Sequence, residues 1–296
     1  MKIVIGVPVH NCSGFTKYIL EDFLEHNTLD HEITFVIVDN GSTDDTQELC
    51  SCYAGINYKI ASNVTFIYER FEDNPGCSKS FNKIYEYLDR EKADLCILIN
   101  NDIVLSKNWL NQLVEFHKKN PEVGIFSPYL IDNHISPETV KEWFGDVRNN
   151  QGKIPSPEWQ KYVDNTLIKE KNHLSRGMQG PMMVITRECR DAVGNWDEGF
   201  EKGCYDDIDY QLRARNLGFM TYVTGTCIIF HFGGSTQWFV TTFDKDKDNY
   251  RNRNKAYFEK KWKVNTSGMI CNQSLFWKQP SPGVNILMEF PTPNES

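Results

Sequence analysis

The sequence predicts an α/β protein with a mostly parallel central sheet that is flanked by helices. Through the first half of the chain, short runs rich in valine and isoleucine alternate with segments whose apolar residues recur every three or four positions. This alternation is typical of parallel strands connected by helices that pack on the sheet. The chain has 296 residues, of which 40% are hydrophobic and 24% are charged. That composition indicates an ordinary globular protein with a substantial core.

Four strands are predicted in the first half of the chain. They are dense in β-branched residues, as expected for strands buried on both faces, and they cover residues 2–9, 32–39, 63–69 and 94–100. The segments that follow these strands are predicted to be helices. A helix start is indicated by the turn and capping residues at 41–50, and apolar helix faces by Phe15, Ile19 and Phe23, by Phe81, Ile84, Tyr85 and Leu88, and by Trp109, Leu110, Leu113 and Phe116.

The pattern is less regular in the second half, beginning at about Pro128. Residues 132–175 contain several prolines and much polar sequence, which predicts an elaborated loop region that can include short helices. Three further strands are predicted at the end of the regular sequence, at residues 180–186, 219–223 and 227–232. A charged segment follows at 244–263, and the last residues are predicted to form an irregular tail.

Charge and cysteine content limit the functional class. The net charge of −8 disfavours a general role in binding nucleic acid or membrane surfaces. Nine cysteines occur without a paired metal-binding spacing, which favours reduced thiols in a cytosolic protein. The apolar run near the N-terminus is too short for a signal sequence, and no stretch approaches the 18 apolar residues of a membrane helix. We therefore expect a cytoplasmic protein without a transmembrane segment.

Polar side chains follow all four strands of the first half. They are "PVHN" at 8–11, "VDNGSTDDT" at 38–46, "NPGCSKSFN" at 74–82 and "NND" at 100–102. Each stretch alone is explained by a turn or a helix cap. Four such stretches at the carboxyl ends of parallel strands instead favour a ligand site, because open α/β sheets bind ligands along that edge.

The ordered set of motifs resembles the family 2 glycosyltransferases, especially rhamnosyltransferase-like sequences. The resemblance covers residues 1–263, and it adds "GPMMVITRE", "GNWDEGFEKGCYDDIDYQLRARNLGF" and "IIFHFGGS" to the strand-end motifs. It implies one domain of the GT-A fold that transfers a sugar from a nucleotide diphosphate sugar with inversion at the anomeric carbon. We expect a nucleotide-binding half at 1–128, an acceptor and catalytic half with a lid at 129–263, and a tail at 264–296.

By this resemblance, Asp39 holds the base or ribose of the nucleotide, and a carboxylate suits that role because it accepts hydrogen bonds from an N–H and a hydroxyl. Pro8 and His10 would line the same pocket. The full set of residues predicted to bind the donor is Pro8, His10, Asn11, Asp39, Asn74, Gly76, Asn82, Asn100, Asn101, Arg251 and Arg253. UDP-sugars are the expected donors, with dTDP- and GDP-sugars as alternatives.

The resemblance also implies a divalent metal, Mn²⁺ or Mg²⁺. Asp102 matches the last aspartate of the family's metal motif, and His231 matches a histidine that is a second metal ligand in some relatives. A single strand histidine is also explained by a structural role. Asn100 stands where many relatives have an acidic residue, and one carboxylate fewer is expected to weaken metal binding.

The stretch "CYDDIDYQLRAR" matches the family's acidic pair. Asp207 corresponds to the general base that takes the acceptor's proton, and Asp206 is its partner. The alternative is structural: Asp206 as a helix N-cap, and Asp209 in the first turn of the helix. Contacts with the acceptor are predicted, by analogy, for Trp196, Gly203 and Asp209.

The segment 244–263 mixes basic and aromatic residues. We expect a mobile lid with Arg251 or Arg253 near the diphosphate, closing when the donor binds; a solvated helix with Tyr257 and Phe258 packed inward is the alternative. The expected acceptor is a hydroxyl of a glycan or of its lipid-linked precursor. A modified base in nucleic acid is less favoured because the chain is acidic. A sugar nucleotidyltransferase and a non-catalytic nucleotide-sugar binding protein are further alternatives. The first would need a basic glycine-rich loop near the N-terminus, and residues 7–14 of this chain contain no lysine or arginine. The second would need no general base, so the acidic run at 206–209 argues against it.

Overall fold

The computed structural model describes residues 1–26, 30–55, 63–131, 135–153, 155–169, 180–233, 247–263 and 266. Its strands are β1 (Lys2–Val9), β2 (Glu32–Asn40), β3 (Val64–Phe71), β4 (Leu95–Ile99), β5 (Ile103–Val104), β6 (Val123–Ile131), β7 (Gly145–Asp146), β8 (Gln151–Gly152), β9 (Met182–Thr186) and β10 (Met220–His231). The helices are α1 (Ser13–His26), α2 (Thr46–Gly55), α3 (Cys77–Glu91), α4 (Trp109–Lys119), α5 (Pro137–Phe144), α6 (Pro157–Lys169), α7 (Arg187–Val193), α8 (Asp206–Asn216) and α9 (Lys247–Trp262), with one 3-10 turn at Val147–Asn149.

Eight strands form one sheet in the order β3-β2-β1-β4-β9-β6-β10-β5. The pairs β1–β2, β2–β3, β1–β4 and β6–β10 are parallel, whereas β9 runs antiparallel to both of its neighbours. Because β9 is antiparallel to both β4 and β6, strand β6 runs in the same direction as β4, and so does β10, which is parallel to β6. Six strands therefore end at one edge of the sheet, and the predicted α/β class with a mostly parallel sheet is confirmed.

Two apolar layers cover the sheet. On one face α1 and α4 contribute Ile19, Phe23, Trp109 and other buried residues. On the other face α3, α7 and α8 pack against alternate residues of the same strands. Ile84 of α3 shows how close this packing is, because a Cβ on Gly6 of β1 would lie 2.4 Å from its side chain. Full burial of such a side chain stabilises the fold by about 1.5–3 kcal/mol.

The long strands β6 and β10 of the second half differ from the prediction. Strand β6 was not predicted, and the two strands predicted at 219–223 and 227–232 are one strand, β10. The cause is local: the β6–β10 register shifts between Thr224 and Ile228, opposite Pro128, which has no N–H to donate to the sheet. Thr224 and Thr226 bond each other at this irregularity. Residues 224–226 therefore interrupt the strand pattern in the sequence, although the strand itself is continuous.

The predicted loop region at 132–175 contains α5, a small β7–β8 hairpin and α6 among its described residues. The charged segment is helical as α9, and Phe258 and Trp262 of this helix are buried against Phe200, Tyr205 and Ile208. Tyr257 is 37% exposed, so of the two aromatic residues predicted to pack inward only Phe258 is buried. The predicted tail lies outside the described residues, apart from residue 266. Among those residues, no helix is both long and apolar enough to span a bilayer.

Candidate active site

The loops after β1 and β2 are joined by side-chain hydrogen bonds at the edge where the strands end. Asn11, in the left-handed conformation with φ of 55°, accepts a bond from Thr43 N at 2.7 Å, and its own N–H donates to Ser42 Oγ at 2.7 Å. His10 Nδ1 lies 2.7 Å from the Asn40 carbonyl oxygen. Pro8 is half-buried in β1 and pairs with Val38 of β2. The three predicted donor residues at the end of β1 therefore lie beside the end of β2.

Asp39 is completely buried at that strand end, and its carboxylate is occupied by protein donors. Oδ1 accepts from Ser42 N at 2.8 Å, whereas Oδ2 accepts from Tyr68 OH at 2.8 Å and pairs with Arg70. The pairing follows from strand register, because Arg70 of β3 lies directly beside Asp39. The side chain of Arg70 remains 28% exposed. Contact of Asp39 with the nucleotide stays a prediction, and Arg70 is a candidate that sequence reasoning missed because register is invisible in a sequence.

Asp102 and His231 are brought together by the antiparallel pairing of β5 and β10, which places His231 opposite Ile103. Asp102 Oδ1 lies 3.2 Å from His231 Nε2, and the Asp102 carbonyl accepts from Phe232 N at 3.0 Å. Two ligands about 2.1 Å from an octahedral ion, at right angles, lie about 3.0 Å apart. The pair thus fits two neighbouring positions of a divalent cation. In the described ranges, no cluster of three or more His, Cys, Asp or Glu side chains suited to a metal ion occurs.

Asn100 and Asn101 lie immediately before this pair and have different surroundings. Asn101 is buried, and its amide donates to Thr16 Oγ1 of α1 at 3.1 Å. Asn100 is half-buried, and its backbone N–H donates to the Pro181 carbonyl at 2.8 Å. Asn101 therefore ties the strand end to α1, while Asn100 stays at the open edge of the sheet.

The start of α3 lies against the loop at 201–205. Asn74 accepts from Gly76 N at 3.1 Å, and a Cβ on Gly76 would lie 2.6 Å from Lys202 N. Gly76 also has a φ of 93°, a conformation that favours glycine. These features place the predicted nucleotide-proximal stretch next to the segment that leads into the acidic pair.

Asn82 and Trp196 are joined by two hydrogen bonds between the Asn82 side chain and the Trp196 backbone. Asn82 Oδ1 accepts from Trp196 N at 2.8 Å, and Asn82 Nδ2 donates to Trp196 O at 3.1 Å. The Trp196 ring is 3% exposed and stacks on Tyr210 with a centroid distance of 4.3 Å. Both residues thus connect α3 to α8 through the core. Their predicted contacts with donor and acceptor stay predictions.

Asp206 and Asp207 begin α8. Burial raises the pKa of Asp206 well above its usual value, and the charge of Asp207 raises it further. Loss of surrounding water raises the pKa of Asp207 to about 6, although the N–H groups of Ile208 and Gly180 donate to its carboxylate. One carboxyl group is therefore kept neutral while its neighbour ionises near neutral pH. Such a difference suits a general base.

The structure corrects the alternative in which Asp206 is the helix N-cap, because Tyr205 occupies the cap position and Asp206 is the first helical residue. The reason is the backbone of the preceding loop, in which Gly203 has a φ of 130° and Tyr205 a φ of 69°. With Tyr205 in a left-handed conformation, no side chain caps the helix. Sequence patterns do not reveal such a backbone path.

Asp209 is fully buried and has partners on both oxygens. Oδ1 accepts from Trp262 Nε1 at 2.9 Å and lies 2.6 Å from Lys261 Nζ, and Oδ2 accepts from Arg213 Nε at 3.0 Å. These contacts agree with the structural alternative for Asp209. Its contact with the acceptor stays a prediction.

Arg251 and Arg253 lie on α9. Arg253 makes two parallel bonds to Glu201, from Nε to Oε1 at 2.7 Å and from Nη2 to Oε2 at 2.6 Å. Arg251 is half-buried beside Tyr250. Contact of either arginine with a diphosphate stays a prediction.

Gly180 and Pro181, immediately before β9, connect the two halves of the site. The Pro181 carbonyl accepts the Asn100 N–H, and a Cβ on Gly180 would lie 3.0 Å from Asp207 Oδ2. The acidic pair thus lies only two residues from the strand end that carries Asp102. Sequence reasoning singled out the stretch from Gly180 as a motif but assigned it no role.

Comparison with known proteins agrees with this geometry. The sequence model of glycosyl transferase family 2 matches residues 4–192 of this chain. The chain is 26% identical over 176 residues to an uncharacterized glycosyltransferase of Mycoplasma genitalium, covering 57% of this chain and 55% of that protein. It is also 24% identical over 178 residues to an uncharacterized protein of Sinorhizobium fredii, covering 59% of this chain and 19% of that protein. The match thus spans about half the length of the Mycoplasma genitalium protein and about a fifth of the length of the Sinorhizobium fredii protein.

Two solved structures show the fold. S. aureus TarS 1–349 in complex with UDP has a TM-score of 0.56 at 12% identity, covering 90% of this chain and 73% of that one. The mannosyltransferase PcManGT from Pyrobaculum calidifontis, in complex with GDP-Man and Mn²⁺, has a TM-score of 0.53 at 16% identity, covering 81% and 60%. Sequence and fold agree, and the chain belongs to glycosyl transferase family 2 and has the GT-A fold.

Proposed function

We propose that the protein transfers a sugar from a nucleotide diphosphate sugar to an acceptor hydroxyl, with inversion at the anomeric carbon. One observation carries the proposal: Gly180 and Pro181 link Asn100, at the end of β4, to the carboxylate of Asp207. The Asp102–His231 pair, which suits a divalent cation, and the acidic pair Asp206–Asp207 thus lie at one edge of the sheet. That is the arrangement such a transfer needs, with leaving-group stabilisation on one side and a base on the other.

The donor is expected at the ends of β1, β2 and β4. The buried Asp39–Arg70 pair and the Asn11 turn offer charged and amide groups there. Asp102 and His231 would hold a divalent cation, which when bound offsets negative charge on the leaving diphosphate. A UDP-sugar is our first expectation, and dTDP- and GDP-sugars are the alternatives. The UDP and GDP-Man bound in the two solved structures support the UDP and GDP classes.

Asp207 acts on the acceptor. With a pKa of about 6, its carboxylate is ionised at neutral pH and able to take the hydroxyl proton. The acceptor oxygen bonds to the anomeric carbon while the bond from that carbon to the phosphate oxygen breaks, and the electron pair leaves with the diphosphate. Attack opposite the leaving group inverts the anomeric configuration. The proposed acceptor is a hydroxyl of a glycan or of a lipid-linked precursor.

We place this activity in the cytoplasm. All eight cysteines of the described residues are free thiols, as expected in a reducing compartment.

The Mn²⁺ of the solved mannosyltransferase complex supports Mn²⁺ as the cation.

The test is a panel of UDP-, dTDP- and GDP-sugars, each with Mn²⁺ and with excess EDTA. Thermal shift selects the nucleotide that binds, and proton NMR of the released or transferred sugar reads its anomeric configuration. We expect nucleotide diphosphate release with one donor class, dependence on the metal, and an inverted product. A retained configuration, or release that is unaffected by EDTA, would contradict the proposed mechanism.

A further inference from the structure

The loop that leads into the acidic pair has an unusual backbone. Four consecutive residues have positive φ: Lys202 at 51°, Gly203 at 130°, Cys204 at 75° and Tyr205 at 69°. Three of these are not glycine, and such residues adopt this conformation only when surrounding contacts enforce it. Since α8 begins at the next residue, whatever holds this loop also sets where Asp206 and Asp207 lie.

Asn254 of α9 makes the contacts that hold the loop. Its side chain is buried, Oδ1 accepts from Glu201 N at 2.8 Å, and Nδ2 donates to Glu201 O at 2.7 Å and to Gly203 O at 2.6 Å. Cys204 O lies 3.2 Å from the same nitrogen. One amide thus bonds the loop backbone at three carbonyl groups, those of residues 201, 203 and 204, and at one N–H. An amide is able to do so because it both donates and accepts.

The rest of the α9 face supports the same loop. Phe258 packs on Tyr205 with a ring distance of 5.2 Å, and the Tyr250 ring lies 5.7 Å from Lys202 Nζ. Residues 250, 254 and 258 are four apart, so they share one side of the helix. Asn254 is at the centre of this side and is the only one of the three that bonds the loop backbone.

We infer that Asn254 is a positioning residue for the proposed transfer reaction, and that it acts by holding the loop at 201–205 in the conformation that aims Asp207. The inference rests on the proposed function, because it acts through the proposed base. Asn254 carries no charge. The titratable groups that face the acidic pair are Cys77 of α3 and Cys204 of the loop, in addition to the two aspartates themselves. Loss of the Asn254 amide therefore changes geometry and solvation without changing local charge.

The experiment compares Asn254→Ala with Asn252→Ala in the full chain. Asn252 is the matched control, because it is exposed on the same helix two residues away. For Asn254→Ala we expect kcat to fall by about 10- to 100-fold, the scale of a misplaced catalytic group, with the donor Kd within about two-fold of wild type. The acidic limb of the pH profile should move to lower pH, because a released loop admits water and lowers the pKa of Asp207. Asn252→Ala should match wild type in all three.

A folded Asn254→Ala protein with wild-type kcat and pH profile overturns the inference, as does a loss that appears only in donor Kd. If Asn254→Ala does not fold, Gly203→Ala replaces it. Its added methyl meets Cys77 Sγ at an ordinary 3.5 Å, so the change acts on the loop backbone and leaves α9 untouched. The same fall in kcat and the same pH shift support the inference, and wild-type values for folded Gly203→Ala overturn it.

Failure of the proposed function is separable from failure of this inference. If the wild-type protein turns over no nucleotide sugar, the carboxyl groups are titrated directly by carbon-13 NMR with labelled aspartate, and Asp207→Asn identifies the signal of Asp207. A lower midpoint for Asp207 in Asn254→Ala, but not in Asn252→Ala, supports the positioning role. An unchanged midpoint overturns it.

Discussion

Asp207 and Gly180 are in direct contact, with the Gly180 N–H bonded to the Asp207 carboxylate and no room to spare for a side chain. Gly180 lies two residues before β9, the strand that runs antiparallel to β4. The contact therefore joins the helix that carries the proposed base to the strand end that carries the proposed metal pair. Because both groups are held by the same short segment, their separation is a property of the sheet.

The first prediction concerns the base. Asp207→Asn keeps the size of the side chain but removes its ability to take a proton, so transfer should fall by about 10²- to 10⁴-fold while donor affinity stays nearly unchanged. Turnover and calorimetric donor affinity measure the two effects. Asp209→Asn is the paired variant, and we expect it to act first on melting temperature, because it weakens buried bonds to Trp262 and Arg213. Near wild-type turnover of Asp207→Asn, beside a folded but inactive Asp209→Asn, would move the base to Asp209.

The second prediction is the pH dependence of turnover. The Asp207 carboxyl has a raised pKa of about 6, so kcat/KM should rise as pH increases through about 6 and level off above it. The same raised pKa affects the free energy of unfolding, because the folded protein binds the Asp207 proton more tightly than the unfolded chain does. This group therefore stabilises the fold below its unfolded-state pKa, and the stabilisation is lost as pH rises through the folded-state pKa. A rate profile and melting curves between pH 4 and pH 8 measure both. A flat acidic limb would argue against Asp207 as the titrating group.

The third prediction concerns the cation. Asp102→Asn removes a charged ligand next to His231, so the Mn²⁺ concentration for half-maximal activity should rise by at least about ten-fold, which corresponds to about 1.4 kcal/mol. Titration of Mn²⁺ against donor turnover measures it. Asp164→Asn, the same change at an exposed residue of α6, is the matched control and should behave as wild type. Equal metal requirements in the two variants would place the cation elsewhere.

The fourth prediction separates binding from folding at Asp39. Asp39→Ala should weaken nucleotide binding by about 1–3 kcal/mol, and it should also lower the melting temperature because it leaves Arg70 and Tyr68 without their shared partner. Tyr68→Phe removes one of these bonds and keeps the ion pair. We expect a small loss of stability from it and a nucleotide affinity within about two-fold of wild type. Calorimetry and melting curves on both variants check this, and an unchanged affinity for all candidate nucleotides in Asp39→Ala counts against the nucleotide role.

The sequence by itself determined the α/β class and the edge of the sheet on which the polar motifs meet. Both follow from local physics: β-branched runs form buried strands, amphipathic segments cover them, and parallel strands end on one side. Asn11, Asp39 and Asn100 were found at that edge by this reasoning. The order of the motifs indicated the family before any contact was known.

Only the tertiary structure decided which side chains meet. The pairing of Asp102 with His231 depends on antiparallel β5–β10 register, and that of Asp39 with Arg70 depends on β2–β3 register. Strand register is a long-range property, so spacing along the chain does not encode it. The contact of Asn254 with residues 201–204, about fifty positions away, likewise required the docking of α9. The positive φ values before Asp206 are enforced by those same distant contacts, because local propensity alone opposes them.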